Sequence, residues 1–347
     1  MTRILAALAA FAALVATAPA QAQEGRWALA LHGGAGTIER SRMTPQMDAA
    51  YRAALTAALE RGAAVLRAGG SSLDAIQAVI EGFEDDELFN AGRGAVFTAE
   101  GVNSLDASIM DGRTLAAGAV AGAVTTRHPI ALARAVMEQS PHVMLSGRDA
   151  DRFAASVGLE QVPTAYFFTE RRWRQLEEAL TARGEPIPPR PEGAGSATMA
   201  DAGLDDHRFG TVGVVALDQS GRIAAGTSTG GTTAKRWGRI GDSPIIGAGT
   251  YASNLEGCAV SATGTGEYFI RFTVARDICA LRHHQTMPIQ QAADAEIAQV
   301  GQAGGDGGVI VLSEEGDVAF AMNTSGMYRG LVTSNAPVWV AIYADEE

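Results

Sequence analysis

The chain has 347 residues, 47% of them apolar and 19% charged, with a formal net charge of −12. That composition allows one large α/β domain, or two smaller ones, with a sizeable core. The acidic balance and the lack of any Lys/Arg run exclude a nucleic-acid surface built on phosphate contacts.

Residues 1–22 read as a targeting leader. Arg3 supplies the positive start, residues 4–18 form an Ala/Leu-rich apolar run, and Ala20-Gln21-Ala22 fits a small-x-small cleavage site. The run is short for a bilayer span, which needs about 20 residues. A retained anchor is the alternative; no later stretch is apolar enough to span a membrane. Export, to a periplasm or beyond, would carry Cys258 and Cys279 into an oxidising compartment where a disulfide can form. The reading preferred for them is nonetheless two small buried apolar side chains, because a chain of this length needs no staple.

Residues 27–31 are an apolar run ending in His32-Gly33-Gly34-Ala35-Gly36, a buried strand followed by a glycine turn. Neither phosphate-loop spacing is present and no Lys follows, so nucleotide binding is not indicated. His32 reads as a loop anchor. Tyr51, Leu55, Leu59, Val65 and Leu66 mark one face of a helix over 46–67, stopped by Gly69-Gly70. Ser71 with Asp74 opens a second helix by a capping-box pattern, running to about Gly82. Residues 83–94 form an acidic loop, either simply solvated or a cation site built from carbonyl oxygens. Strands are expected over 102–110 and 116–125, and helices to about Glu138, over 148–157 and over 169–182. Four prolines and four glycines make 184–206 a linker, mobile and open to proteases.

Beyond it, strands are expected at 211–217, 223–228, 245–249, 259–263, 308–312, 318–323 and 338–343. Helices are expected at 266–282 and 288–299. Helices between sheet-forming runs in both halves describe an α/β layered sandwich, with helices covering two stacked antiparallel sheets.

The chemistry gathers where the linker meets the next strand, at Gly210-Thr211. A threonine hydroxyl is a weak nucleophile that needs a base. At a chain start its own α-amine serves, since that amine titrates near about 7.7–8.0. Thr211 therefore reads as a nucleophile freed by cutting the bond after Gly210, whose lack of a side chain tolerates the strained backbone that attack requires. Thr263 and Gly264 offer a hydroxyl and an N–H where an oxyanion would form. Thr229, one hairpin away, tunes the nucleophile. Arg239 and Asp242 form either a surface ion pair or a receptor for both charges of an amino-acid head group. His283-His284 point to different helix faces with no third ligand nearby in sequence, which argues against a metal centre. No Gly-x-Ser-x-Gly elbow is present.

These residues carry a family. His32-Gly33-Gly34-Ala35-Gly36, Leu88-Phe89-Asn90-Ala91-Gly92, Gly94-Ala95-Val96-Phe97-Thr98, Met110-Asp111-Gly112 and Gly118-Ala119-Val120-Ala121-Gly122 occur in order. Gly210-Thr211-Val212-Gly213, Thr227-Ser228-Thr229-Gly230-Gly231, residues 238–244, residues 263–267 and Asn323 through Arg329 follow. The chain resembles the plant-type L-asparaginases, or isoaspartyl (β-aspartyl) peptidases, of the N-terminal-nucleophile hydrolases. The resemblance implies an αββα four-layer sandwich cut between Gly210 and Thr211 into two subunits that stay together as an (αβ)₂ dimer of heterodimers. It implies Thr211 as nucleophile, Thr229 as its hydroxyl neighbour and Thr263 with Gly264 as oxyanion hole. Arg239 would take the substrate α-carboxylate, and Asp242 with Gly266 its α-amino group. No catalytic cofactor is implied. A structural sodium ion is, held by the backbone carbonyls of Phe83, Glu84, Asp86, Phe89, Ala91 and Arg93.

The chain departs from the family pattern at Thr232-Thr233-Ala234, at Arg93, and by a residue added near Leu255-Glu256-Gly257. These departures bear on substrate preference and on the ion. Two other readings remain: a glycosylasparaginase-type amidase, and an uncut periplasmic aspartate-binding protein.

Overall fold

The computed structural model describes residues 25–194 and 210–346; the leader and residues 195–209 lie outside them. In chain order the elements are β1 (Ala28–Gly36), α1 (Pro45–Arg67), α2 (Ser72–Glu84), β2 (Leu105–Asp111), β3 (Ala117–Ala123), α3 (Pro129–Gln139), β4 (Met144–Ser146), α4 (Gly147–Ser156) and α5 (Glu170–Ala182). After the undescribed stretch come β5 (Val212–Leu217), β6 (Ile223–Thr229), β7 (Thr250–Ser253), β8 (Cys258–Gly264), α6 (Gly266–Phe272), α7 (Val274–Gln285), α8 (Ile289–Gln302), β9 (Gly307–Ser313), β10 (Val318–Met322), β11 (Gly326–Thr333) and β12 (Trp339–Tyr343).

The strands form an eight-stranded sheet, β12-β11-β1-β5-β6-β2-β3-β4, and a four-stranded sheet, β10-β9-β8-β7. All pairs are antiparallel except β3 with β4. Strand alternation sorts the side chains into layers. Leu29 and Leu31 of β1, with Val212 and Val214 of β5, pack against α1, α2 and α3. Ala28 and Ala30, with Val215 and Leu217, turn the other way and meet Ala259, Ile310 and Leu312 of the smaller sheet. The far face of that sheet packs on α7 and α8 through Val260, Val309, Ile278 and Ile297. The result is the expected αββα sandwich.

Chain order in the large sheet matters. Strand β1, from before Thr211, lies between β11 and β5, both from after it. Strand β6 likewise pairs β2 over six residues. The segments on either side of Thr211 are therefore interleaved within one hydrogen-bonded sheet.

Local signals account for several boundaries. Helix α2 has the full capping box, with the Ser71 hydroxyl accepting from Asp74 N–H and the Asp74 carboxylate accepting from Ser71 N–H. It runs two residues beyond Gly82, because buried Phe83 and Glu84 continue its inner face. The acidic loop thus begins at Asp85. Residues 245–249 are turns rather than a strand: Asp242 carbonyl accepts from Ile245 and Gly249 N–H, and β7 starts only at Thr250. The helix expected over 266–282 is two, broken at Thr273, which takes a left-handed φ of 52°. Strands β4 and β11 were not expected.

One expectation is reversed. Cys258 of β8 and Cys279 of α7 are joined in a disulfide, with Cα atoms 5.4 Å apart. The two side chains are buried in the apolar layer as expected, but they face each other across the strand–helix contact. Closing a loop of 21 residues stabilises by about 3 kcal/mol in the chain-entropy account. Of the linker, 184–194 runs back along α5, where Arg190 grips Glu170 at 2.8 and 2.9 Å.

Candidate active site

Thr211 immediately precedes β5 at the inner end of a cleft with about 250 Å³ of empty space, lined by Gly210, Thr211, Thr229, Gly231, Thr232, Arg239, Gly241, Asp242, Ser243 and Gly264. The junction is held from both sides. Gly34, at φ +111°, lies so close that a Cβ there would come within 2.6 Å of Gly210 Cα, and a Cβ on Gly210 would come within 3.0 Å of Asn90 Cβ.

Thr211 donates its hydroxyl to Thr229 Oγ1 at 3.0 Å. Thr229 Oγ1 also accepts from Gly231 N–H at 2.9 Å, so both of its lone pairs are engaged and the Thr211 hydroxyl proton has a fixed direction. Thr263, the last residue but one of β8, has its hydroxyl buried and without a hydrogen-bond partner. Next to it, Gly264 adopts φ +150°, where any Cβ would strike the neighbouring strand. A buried, unpaired hydroxyl is a cost the fold carries unless something else uses it.

Asp242 is buried, and its Oδ2 also lacks a partner. Burial pushes its carboxyl up to about 7, with Arg239 pulling the other way. Gly249 and Gly266 leave the room it occupies, since a Cβ on either would come within 2.8 Å of a carboxylate oxygen. Arg239 forks onto Glu267, Nε to Oε1 at 2.9 Å and Nη2 to Oε2 at 3.0 Å, which leaves Nη1 beside Gly231 and Gly241. Glu267 was not singled out from sequence; it fills the place where a substrate carboxylate was expected. Beneath lies an ion pair between Lys235 and Asp106, 3.6 Å apart and nearly fully buried. Asp106 is directly opposite Thr229 in the β2–β6 register.

The loop with Arg239 also makes a tight turn. Arg239 N–H donates to Arg236 carbonyl at 2.8 Å, with Trp237 and Gly238 both left-handed at φ 54° and 69°. Trp237 is 94% exposed at its tip, a conformation that costs a bulky residue about 1–2 kcal/mol.

The acidic loop is tied to the cleft by Asn90, the central residue of the Leu88–Gly92 motif. Its Nδ2 donates to Gly231 carbonyl at 2.7 Å, and its Oδ1 accepts from Val96 N–H at 2.9 Å. Behind it, the carbonyl of Glu84 crowds Gly92, and those of Asp86 and Phe89 crowd Gly94, where side chains would strike them. Phe83 and Glu84 are the last residues of α2, whose terminal carbonyls carry the negative end of the helix dipole. This cradle fits a hard monovalent cation. Arg93 adds no carbonyl-blocking bulk, because its side chain turns out to Glu87 at 2.7 Å. His283 and His284 lie exposed on α7, and among the described residues no group of three His, Cys, Asp or Glu could hold a metal ion.

A family model described as Asparaginase matches residues 25–342. The chain belongs to the asparaginase family. It is 47% identical over 307 residues to the isoaspartyl peptidase of Escherichia coli, spanning 88% of this chain and 92% of that protein. It is 40% identical over 286 residues to the human isoaspartyl peptidase/L-asparaginase, spanning 82% and 86%. The Xenopus laevis protein of the same name matches at 38% over 321 residues, 92% and 93%. The fold of the asparaginase family is that of the N-terminal-nucleophile hydrolases, which agrees with the four layers found here.

Proposed function

We propose that this chain is an isoaspartyl peptidase and L-asparaginase that cuts itself before Thr211 and uses the new N-terminal threonine. The observation that carries the reading is the convergence of three groups on one small cleft, the Thr211 hydroxyl, the unpaired Asp242 oxygen and the Arg239 guanidinium, with the unpaired Thr263 hydroxyl one residue before Gly264 of its lining. In the uncut chain the Thr211 hydroxyl attacks the Gly210 carbonyl, the C–N bond passes its acyl group to oxygen, and water hydrolyses the ester. In the mature enzyme the α-amine takes the hydroxyl proton as Oγ1 attacks the side-chain carbonyl of asparagine or an isoaspartyl residue. The Thr263 hydroxyl and Gly264 N–H hold the oxyanion. The amine returns its proton to the leaving ammonia or peptide amine, and water releases aspartate from the ester.

Asp242 and the Gly266 backbone hold the substrate ammonium. Arg239 exchanges Glu267 for the substrate carboxylate, a swap of one fork for another. A monovalent cation on the loop carbonyls would neutralise the helix end and keep Asn90 in place. The interleaved sheet keeps the two subunits joined after cutting, and we extend the reading to an (αβ)₂ assembly. Export through the leader is supported by the disulfide, which suits an oxidising compartment.

The test is intact mass and N-terminal sequencing of the purified protein, followed by assay of aspartate release from a β-aspartyl dipeptide and from asparagine. Two chains, one starting at Thr211, with turnover of either substrate are expected. An uncut chain that binds aspartate stoichiometrically would move the binding-protein reading forward.

A pH dependence follows. Asp242, raised to about 7 by burial, is largely neutral below that pH and then cannot pair with an ammonium. Substrate capture, read as kcat/KM, should rise with pH through about 7, while kcat rises with the Thr211 amine instead. Asp242→Asn should remove the lower limb and raise KM; an unaltered profile would place the ammonium elsewhere.

A further inference from the structure

Between the two sheets, where the buried apolar layer is built of Ala, Val, Leu, Ile and Met, runs a seam of polar side chains. Ser108, Thr250, Thr227, Ser261 and His32 are all fully buried. Five such groups in an apolar layer are a cost unless every one is bonded. They are bonded, and from Thr250 onward in one direction. His32 Nδ1 lies 3.0 Å from the Thr211 carbonyl, which can only accept, so Nδ1 carries the proton. The ring is neutral, since burial lowers it to about 3. Nε2 is then an acceptor, and the Ser261 hydroxyl at 3.0 Å must donate to it. With its proton spent, Ser261 accepts from Thr227 at 2.7 Å; Thr227 in turn lies 2.5 Å from Thr250, and Thr250 lies 2.8 Å from Ser108. Thr250, Thr227 and Ser261 can therefore each donate toward Thr211, while Ser108 Oγ gives its proton to the Ser243 carbonyl at 2.6 Å and anchors the far end of the seam.

Gly213, opposite His32 in the β1–β5 register, explains its own presence. A Cβ there would strike both Ser261 Oγ and His32 Nε2. Two motifs that the catalytic scheme leaves without a role, the histidine before the glycine turn and the second glycine of Gly-Thr-Val-Gly, thus serve one hydrogen bond.

The consequence rests on the function proposed above. Once the bond before Thr211 is cut, nothing covalent holds that residue on its amino side. Its orientation is set by its carbonyl and by the strand that follows. We propose that His32 is the positioning residue that fixes the Thr211 carbonyl, and so aims the new amine and hydroxyl, through the directed chain from Thr250 to Ser261. It touches neither substrate nor reacting atoms.

The test uses the mature, full-length enzyme and variants at two positions. Asn places its amide nitrogen where His32 Nδ1 lies; Gln places it where Nε2 lies. His32→Ala is expected to lower kcat about 100-fold at a KM within about twofold of the parent, as misplaced reacting groups do. His32→Asn should recover to within about tenfold, the size of one hydrogen bond, and His32→Gln should not recover. Gly213→Ala, which removes no polar group, should lower kcat like His32→Gln. Each variant is checked for chain cutting and melting temperature. If the His32 variants fail to fold, Ser261→Ala decides alone: about tenfold lower kcat at unchanged KM supports the chain, and parental kcat overturns it. Equal losses in Asn and Gln, or losses confined to stability, would also overturn it, since a space-filling histidine does not distinguish donor positions. An uncut, inactive parent enzyme would instead remove the proposed function, and the role of His32 with it.

Discussion

Replacing Thr211 with alanine is expected to leave a single uncut chain with no turnover. The side chain contributes no packing that β5 depends on, since the strand begins at Val212 and its apolar faces are built by Val212, Val214 and Val215. The melting temperature should therefore be close to the parent's, while activity falls by at least about 10⁴-fold, as for the loss of other covalent nucleophiles. Thr211→Ser keeps the hydroxyl within reach of Thr229 and should still cut. Intact mass reads the first result and product release the second. A Thr211→Ala chain that cuts would move the nucleophile to another residue.

Thr263→Val is expected to act in opposite directions on stability and rate. Valine has the shape of threonine without the hydroxyl, and that hydroxyl is buried and unpaired in the substrate-free chain. Removing an unsatisfied buried group returns about 1–3 kcal/mol, so the variant should melt no lower than the parent. Removing an oxyanion donor should lower kcat by about 10²–10³-fold with little change in KM. Melting curves and steady-state kinetics on one preparation check both. A variant that is less stable, or equally fast, would show that the hydroxyl serves the fold and not the oxyanion.

The elements that position the site were legible because their signals are local. The capping box at Ser71, the glycine turn after β1 and the Gly210-Thr211 junction need only neighbouring residues to be read. Contacts between distant strands were not legible in the same way. Ser108, Thr227, Thr250 and Ser261 each look like an ordinary strand residue, and only sheet stacking brings them into one line. Glu267 looked like the first turn of a helix, and it is, but its carboxylate also reaches Arg239. Ile245 and Ile246 suggested a strand, yet the turn at Asp242 and the glycines at 247 and 249 bend the chain first. Cysteine number and chain length say nothing about which helix a strand will face, so the Cys258–Cys279 bridge was not legible.

That bridge also simplifies the molecule as an experimental object. It consumes both cysteines of the sequence, so the folded protein offers no thiol. A single cysteine introduced on the surface becomes a unique point of chemical attachment. Trp237→Cys, at the exposed tip of the turn that leads into Arg239, would carry a fluorophore at the cleft mouth, where arrival of a ligand can be followed optically in real time.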